Sequence, residues 1–253
     1  MISNRMNRVM TMNLLKINNL SKIFSGNLLF HHVSIEINSG EKIAMIGQNG
    51  TGKSTLVKMI LGEILPDEGE INLNRQASIG YLSQSVLEDE NRTLIQEIML
   101  VYEKLQKLEM DIKNTTLLLE SNHSEAMLKR YSLLEEEYSR LGGYEYHFNI
   151  DMILSRFGFE KTEYDRQIKT FSGGEKTRIA FAKLLMKKPD LLILDEPTNH
   201  MDIEIIEWLE DYLKKYPGAI FCITHDKYFI NKIAEKIYEI DQNTVAVYYG
   251  NFD

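Results

Sequence analysis

Residues 42–54 read KIAMIGQNGTGKS: a short apolar run, then Gly47-Gln48-Asn49-Gly50-Thr51-Gly52-Lys53-Ser54. The eight satisfy the phosphate-loop pattern G-x-x-x-x-G-K-S, between a run that reads as a strand and one that reads as a helix over Lys53 to Leu61. The chemistry follows from the residue types. Glycines let the backbone wrap phosphates with its N–H groups pointing inward, and the helix N-terminus adds a favourable dipole. Lys53 is placed to pair with β- and γ-phosphates and Ser54 to ligate Mg²⁺.

Outward from this loop, the first half alternates short β-rich runs with turns: LLKI, SKIF, VSIEI, the Asn38-Ser39-Gly40 turn, then EINLN and SIGYLSQ beyond the helix. In the second half LLILD and AIFCIT are uninterrupted apolar strands, while IEIIEWLEDYLKKY and KYFINKIAEKI read as helices. Apolar strands spaced by helices predict an α/β fold with a parallel sheet buried on both faces. LLILD ends in Asp195-Glu196. Neighbouring strand residues face opposite ways, so the two carboxylates take different jobs: Asp195 beside Mg²⁺ through its water shell, Glu196 holding an attacking water as base.

Between the halves, residues 93–143 follow a different rhythm. Ile98, Val101, Leu105, Leu108, Ile112, Thr115 and Leu119 form a heptad seam broken by one threonine. After Ser121-Asn122-His123-Ser124 it resumes at Met127, Tyr131, Leu134, Tyr138 and Leu141, and Gly142-Gly143 supplies a helix stop. An antiparallel helical hairpin is predicted, either projecting as an arm or folded flat on the domain. The first 12 residues are polar and aperiodic and read as a leader, with Met12 as an alternative start.

Bulk properties narrow the class. The chain has 253 residues, 43% hydrophobic and 26% charged, with a net charge of −8. No apolar run approaches the roughly 20 residues of a membrane span, and the first residues lack a signal-peptide core. One cysteine, Cys222, excludes an internal disulfide and suits a reducing cytoplasm. The acidic balance does not by itself predict a nucleic-acid binder.

Three more landmarks establish a family resemblance. Phe171-Ser172-Gly173-Gly174-Glu175-Lys176-Thr177 resembles the signature of the ATP-binding cassette (ABC) family, Gln84 closes GYLSQ where that family keeps its glutamine loop, and His225 follows FCIT like its switch histidine. The resemblance implies a P-loop ABC-type nucleotide-binding domain over residues 13–253, with an antiparallel β subdomain, a helical subdomain and the 93–143 hairpin as an insertion. It implies ATP and Mg²⁺ as cofactors and hydrolysis by Glu196, His225 and Gln84. Nucleotide would be held by Phe24 (stacking on adenine, with core packing as the competing role), Gly47, Asn49, Gly50, Thr51, Gly52, Lys53, Ser54 and Thr55. Mg²⁺ would be held by Ser54, Gln84 and Asp195. Ser172, Gly173 and Gly174 would act in trans on nucleotide held by a second cassette, in the same longer chain or in a homodimer.

Within the family, several stretches resemble the ribosome-associated ABC-F branch of translation factors and antibiotic-resistance proteins. They are SGGEKTRIAFAKLL, Pro197-Thr198-Asn199-His200-Met201-Asp202, His225-Asp226-Lys227-Tyr228-Phe229-Ile230, the hairpin, and Tyr249-Gly250-Asn251-Phe252. The last resembles the segment before the linker of twin-cassette proteins, so the chain is expected to be a first cassette. This implies a ribosome partner (rRNA or tRNA) and no membrane insertion. Two other readings stand beside it: the ATPase subunit of a membrane transporter, and a catalytically weak half-site. Against RNA binding, residues 93–143 hold six basic residues (Lys104, Lys107, Lys113, Lys129, Arg130, Arg140) and nine acidic ones. Lys113, Lys129 and Arg130, or Leu117-Leu118-Leu119, remain as candidate contacts near the tip.

Overall fold

The computed structural model describes residues 12–24, 26–82, 87, 89–121, 124–199 and 201–251. They form two compact units, Met1–Leu82 with Lys188–Asp253, and Ser83–Lys187. The predicted leader up to residue 11, Gln84, His200 and Phe252 lie outside the described residues.

The first unit begins with Asn13–Phe24 (β1) and Asn27–Asn38 (β2), antiparallel along their length. LLKI and SKIF are therefore one strand, not two. Register shifts between Ile17 and Leu20, where Asn19 takes a left-handed φ of 48°, bend it without ending it. Lys42–Gly47 (β3) leads into helix Lys53–Ile60 (α1), followed by Glu68–Leu73 (β4) and Ile79–Tyr81 (β5). β4 pairs with the other side of β1, giving a three-stranded antiparallel sheet ordered β2-β1-β4.

The second unit, residues 83–187, is helical. Leu94–Met99 (α2) passes through a 3-10 turn at Leu100–Tyr102 into Glu103–Ser121 (α3), and Glu125–Arg140 (α4) returns alongside. The predicted seam faces inward: Ile98, Leu105, Leu108, Thr115 and Tyr138 are buried. Thr115 is tolerated there because its hydroxyl donates to Asp111 O of its own helix at 2.7 Å. Leu141, read as part of the seam, is exposed, as are Leu117 and Leu118. Helix α4 stops at the predicted glycines: Gly142 has φ 75°, and Gly143 N donates to Tyr138 O at 2.9 Å. Tyr146–Arg156 (α5) and Gly173–Lys187 (α6) complete the unit, α6 burying Ile179, Phe181, Leu184 and Leu185.

The chain then returns to the first unit through Leu191–Asp195 (β6), Ile203–Lys214 (α7), Ala219–Ile223 (β7), Lys227–Ile233 (α8), Lys236–Asp241 (β8) and Thr244–Tyr249 (β9). These strands join β3 and β5 in a six-stranded sheet ordered β5-β6-β7-β3-β8-β9, parallel except for β9. Strand β6 is apolar and buried up to its last residue, Asp195, and β7 is apolar and buried throughout, as strands covered on both faces require. Helix α7 covers its share with Ile205, Leu209 and Leu213 at four-residue spacing, each contributing about 1.5–3 kcal/mol of burial. KYFINKIAEKI, read as one helix, is two elements. The helix stops at Ile233, Ala234 is extended at ψ 137°, and Lys236 onward pairs with β3.

Candidate functional site

Three neighbouring parallel strands, β6, β7 and β3, end on one edge of the sheet, with Met45 and Asp195 both level with Ile223. Such carboxyl edges are where open α/β sheets bind ligands. The 42–54 segment turns here. Gly52 adopts φ 94°, and a Cβ on it would lie 2.8 Å from Phe30 Cζ, so only glycine lets the loop approach that ring. The Thr51 hydroxyl donates to Gln48 O at 2.9 Å and closes the turn. Lys53, buried at the start of α1, donates to Gly47 O at 2.7 Å and Gln48 O at 2.9 Å. Burial lowers its pKa, and Glu196 and Asp195 oppose that shift. Asn49 and Gly50 are exposed at the tip of the loop, and Thr55 lies half-buried in the first turn of α1.

Across the loop, Ser54 Oγ donates to Asp195 Oδ2 at 3.0 Å, so the two described residues predicted to hold Mg²⁺ meet. One hydroxyl and one carboxylate are hard oxygen donors of the kind Mg²⁺ takes when phosphates and water complete its shell. The residues fit the ion. Glu196, one position past β6, turns away through a left-handed φ of 48°, with its N–H donating to Ile223 O at 2.8 Å. That conformation costs a non-glycine residue about 1–3 kcal/mol and persists where its surroundings fix it. It brings Glu196 Oε1 to 3.6 Å from His225 Nε2. Asp195 thus faces the loop serine and Glu196 the histidine, parted by the left-handed turn just past the end of β6. A cleft of about 280 Å³ runs beside this edge, lined among others by Gly47, Gln48, Thr224 and His225.

Several positioning residues here escape a sequence reading. Thr224, fully buried, accepts from Asp226 N at 3.1 Å. Asp226 caps α8 by accepting from Tyr228 N and Phe229 N, and together they fix the backbone around His225. An Asp ahead of a helical run was a readable signal for that cap. Phe24 is 50% exposed, which removes core packing as its role.

Ser172, Gly173 and Gly174 belong to the helical unit and are exposed at the start of α6. Ser172 N donates to Glu175 Oε2 at 2.7 Å, and Glu175 N donates to Ser172 Oγ at 3.3 Å, a reciprocal capping box legible in S-G-G-E. The bond from Ser172 N holds the Glu175 pKa below its ordinary value, with support from the Ser172 side chain and Arg166. Arg166 lies 3.5 Å from Glu175 Oε1 and stacks over the Phe171 ring at 3.9 Å. No sequence pattern pointed to Arg166.

Residues 30–199 match the family described as ABC transporter. Curated relatives include the uncharacterized ABC transporter ATP-binding protein YfmR of Bacillus subtilis (strain 168), 35% identical, with 96% of this chain and 38% of that protein covered. The tylosin resistance ATP-binding protein TlrC of Streptomyces fradiae is 34% identical, covering 92% of this chain and 43% of that protein. The energy-dependent translational throttle protein EttA of Mycobacterium tuberculosis (strain ATCC 25618 / H37Rv) is 32% identical, covering 91% and 41%. The chain therefore spans less than half the length of each. A solved structure titled as the ATP binding subunit of an ABC transporter superposes with a TM-score of 0.68 at 21% identity, covering 93% of this chain and 90% of that one. At that identity the likeness speaks for the fold alone. The chain belongs to the ATP-binding cassette family as a nucleotide-binding ATPase domain, and its relatives include members of the ABC-F branch.

Proposed function

We propose that this cassette is half of an ABC-F machine that clamps on two MgATP molecules, acts on the ribosome through the 93–143 hairpin, and lets go on hydrolysis. The observation that carries this reading is the α3–α4 hairpin, a packed pair of helices ahead of the signature in the chain. Two relatives, one named a translational throttle protein and one a tylosin resistance protein, point the same way. Among the described residues no helix is long and apolar enough to cross a membrane.

In this reading Phe24 stacks on adenine, and Gly47, Asn49, Gly50, Thr51, Gly52 and Thr55 shape the phosphate cradle. Lys53 leaves the loop carbonyls for the phosphates. Ser54 and Asp195 would hold Mg²⁺, which would supply charge neutralisation at the phosphates. Glu196 takes the proton of the attacking water, and His225, 3.6 Å from it, orients toward the γ-phosphate. Gln84 joins the site on the strength of its motif alone. Ser172, Gly173 and Gly174 serve the nucleotide of a second cassette, so a lone copy of this chain holds parts of two sites and completes neither.

The test is co-sedimentation with ribosomes of the full-length protein carrying Glu196→Gln and the matching change in any second cassette. Pelleting only with ATP is expected. Absence of pelleting with ATP binding intact overturns the ribosome reading and redirects the search to a membrane partner.

A further inference from the structure

We propose that the root of the hairpin clamps the signature segment from both sides, with the buried pair Lys183–Glu97 as the device that ties arm position to Ser172; this rests on the roles given above to arm and signature. The first side is a backbone ladder. Leu94 N donates to Arg166 O at 2.9 Å, Ile95 N to Tyr164 O at 3.0 Å, Ile168 N to Arg92 O at 2.9 Å and Lys169 N to Glu90 O at 2.9 Å. The segment leading into Phe171-Ser172, which meets Thr93 through one antiparallel bridge at Gln167 and closes in a 3-10 turn at Ile168–Thr170, is thus pinned to the residues that open α2.

The second side lies beyond the signature, on α6. Lys183 Nζ sits 2.6 Å from Glu97 Oε1, with the two side chains 1% and 0% exposed. Arg92 Nη1 takes the other oxygen of Glu97 at 3.3 Å. Glu97 stands on α2, whose start is fixed by a capping box between Thr93 and Gln96. That helix runs through the 3-10 turn into α3, a helical path over residues 94–121 of about 40 Å at 1.5 Å per residue. The turn is stapled by Gln106 Nε2, which donates to Met99 O at 2.7 Å. A rotation at the far end of this lever therefore reaches α2, and through Glu97 the helix that begins at the signature glycines.

Stability alone is a poor reason for such a pair. Removing two charges from water costs nearly what their attraction returns, and well-packed apolar replacements of buried ion pairs are often neutral or stabilising. What an apolar replacement cannot supply is a fixed register, because two hydrocarbon side chains slide past each other with little penalty, whereas a 2.6 Å ion pair does not. Lys183 and Glu97 are accordingly positioning residues.

The experiment compares Glu97→Leu/Lys183→Met with the unchanged protein, with spin labels at Lys113→Cys on α3 and Thr177→Cys on α6. Cys222 is fully buried and stays unlabelled. The expected result is one narrow distance distribution in the parent and a broadened or shifted one in the double variant at an unchanged melting temperature, while the single variant Lys183→Arg, which keeps Glu97 and a cation beside it, retains the narrow one. A parent-like distribution in the double variant overturns the proposal. If the apolar pair melts early, Glu97→Gln/Lys183→Met, which keeps the shape of Glu97, carries the same labels. In the full-length protein, the effect of ribosomes on ATP turnover is expected to fall about fivefold or more in the double variant, with KM for ATP unchanged. If ribosomes leave the parent's turnover unaltered, the functional reading fails on its own, and the label distances still decide the clamp.

Discussion

Replacing Gly52 by alanine separates two costs that the phosphate loop imposes. The first is backbone strain: φ at Gly52 is 94°, and holding an L-residue in left-handed space costs about 1–2 kcal/mol. The second is overpacking. The added Cβ would stand 2.8 Å from Phe30 Cζ and 3.2 Å from Phe30 Cε2. Phe30 is fully buried in the core, so its ring must shift against packed neighbours, which adds about 1–3 kcal/mol. Gly50 provides the control, since its φ is 84° but a Cβ there meets nothing within 4 Å. Gly50→Ala therefore carries the strain alone.

For a chain of this size about 1 kcal/mol moves Tm by roughly 2–4 °C, so Gly52→Ala is expected to melt roughly 2–12 °C below Gly50→Ala. Calorimetry of the nucleotide-free proteins measures the gap. The same scans with MgATP read the site: parent protein at about 100 times Kd gains about 2.7 kcal/mol, and Gly52→Ala, with its loop pushed off Phe30, gains less. Equal melting of the two alanine variants would refute the argument that Phe30 enforces glycine here.

Ser54→Ala removes the hydroxyl that donates to Asp195 at 3.0 Å. The Mg²⁺-dependent part of ATP affinity is expected to fall about tenfold or more, on the scale of one charged hydrogen bond, with affinity in EDTA unchanged; calorimetric titration decides it. The depressed pKa of Glu175 has a definite sign. Its contribution to stability is present above the ordinary value of 4.5 and lost as pH falls through the lower folded value, so Glu175→Gln should flatten the acid limb of the stability curve. An identical acid limb in both proteins counts against the capping box. Tyr138→Phe deletes a 2.6 Å bond to Glu109 and is expected to cost about 1.5–3 kcal/mol in urea denaturation, whereas no loss shows that Tyr146, which also donates to Glu109, suffices.

The readable parts of this chain are those whose physics is local. The phosphate loop is written in consecutive residues, and LLILD and AIFCIT announce their burial because both faces of a parallel strand are covered. The hairpin seam was legible because a heptad pattern is a property of side chains on one helix. The same fact hid the 3-10 turn at Leu100–Tyr102, which leaves Ile98 and Leu105 buried as the pattern requires. The start of β8, Lys236-Ile237, reads as the end of a helix because Phe229, Ile230, Ile233 and Ile237 keep the three-and-four spacing of one helix face. What decides for a strand is distant: pairing with β3, and Lys236 Nζ donating to Glu36 O at 2.9 Å. Arg166, stacked on Phe171 and paired with Glu175, became visible only when tertiary structure brought it to the signature.

The acidic balance of the hairpin looks different once each charge has a place. Glu97, counted against phosphate binding, is paired with Lys183, which lies outside residues 93–143 and so never entered the count. Glu137 is paired with Lys104 at 2.7 Å, and Glu109 accepts from Tyr138 and Tyr146. These three stand toward the root: Glu97 ties α2 to α6, Glu137 ties α4 to α3, and Glu109 ties α3 to α4 and α5. The distal half, residues 111–130, holds three acids (Asp111, Glu120, Glu125) and three bases (Lys113, Lys129, Arg130), so it is neutral in sum. Its bases are exposed, with Lys129 and Arg130 adjacent. The excess of acid is therefore a root property with a structural cause, and at the tip electrostatics no longer opposes a phosphate backbone. The objection that the composition raised against an RNA partner weakens for that part of the hairpin that would meet one.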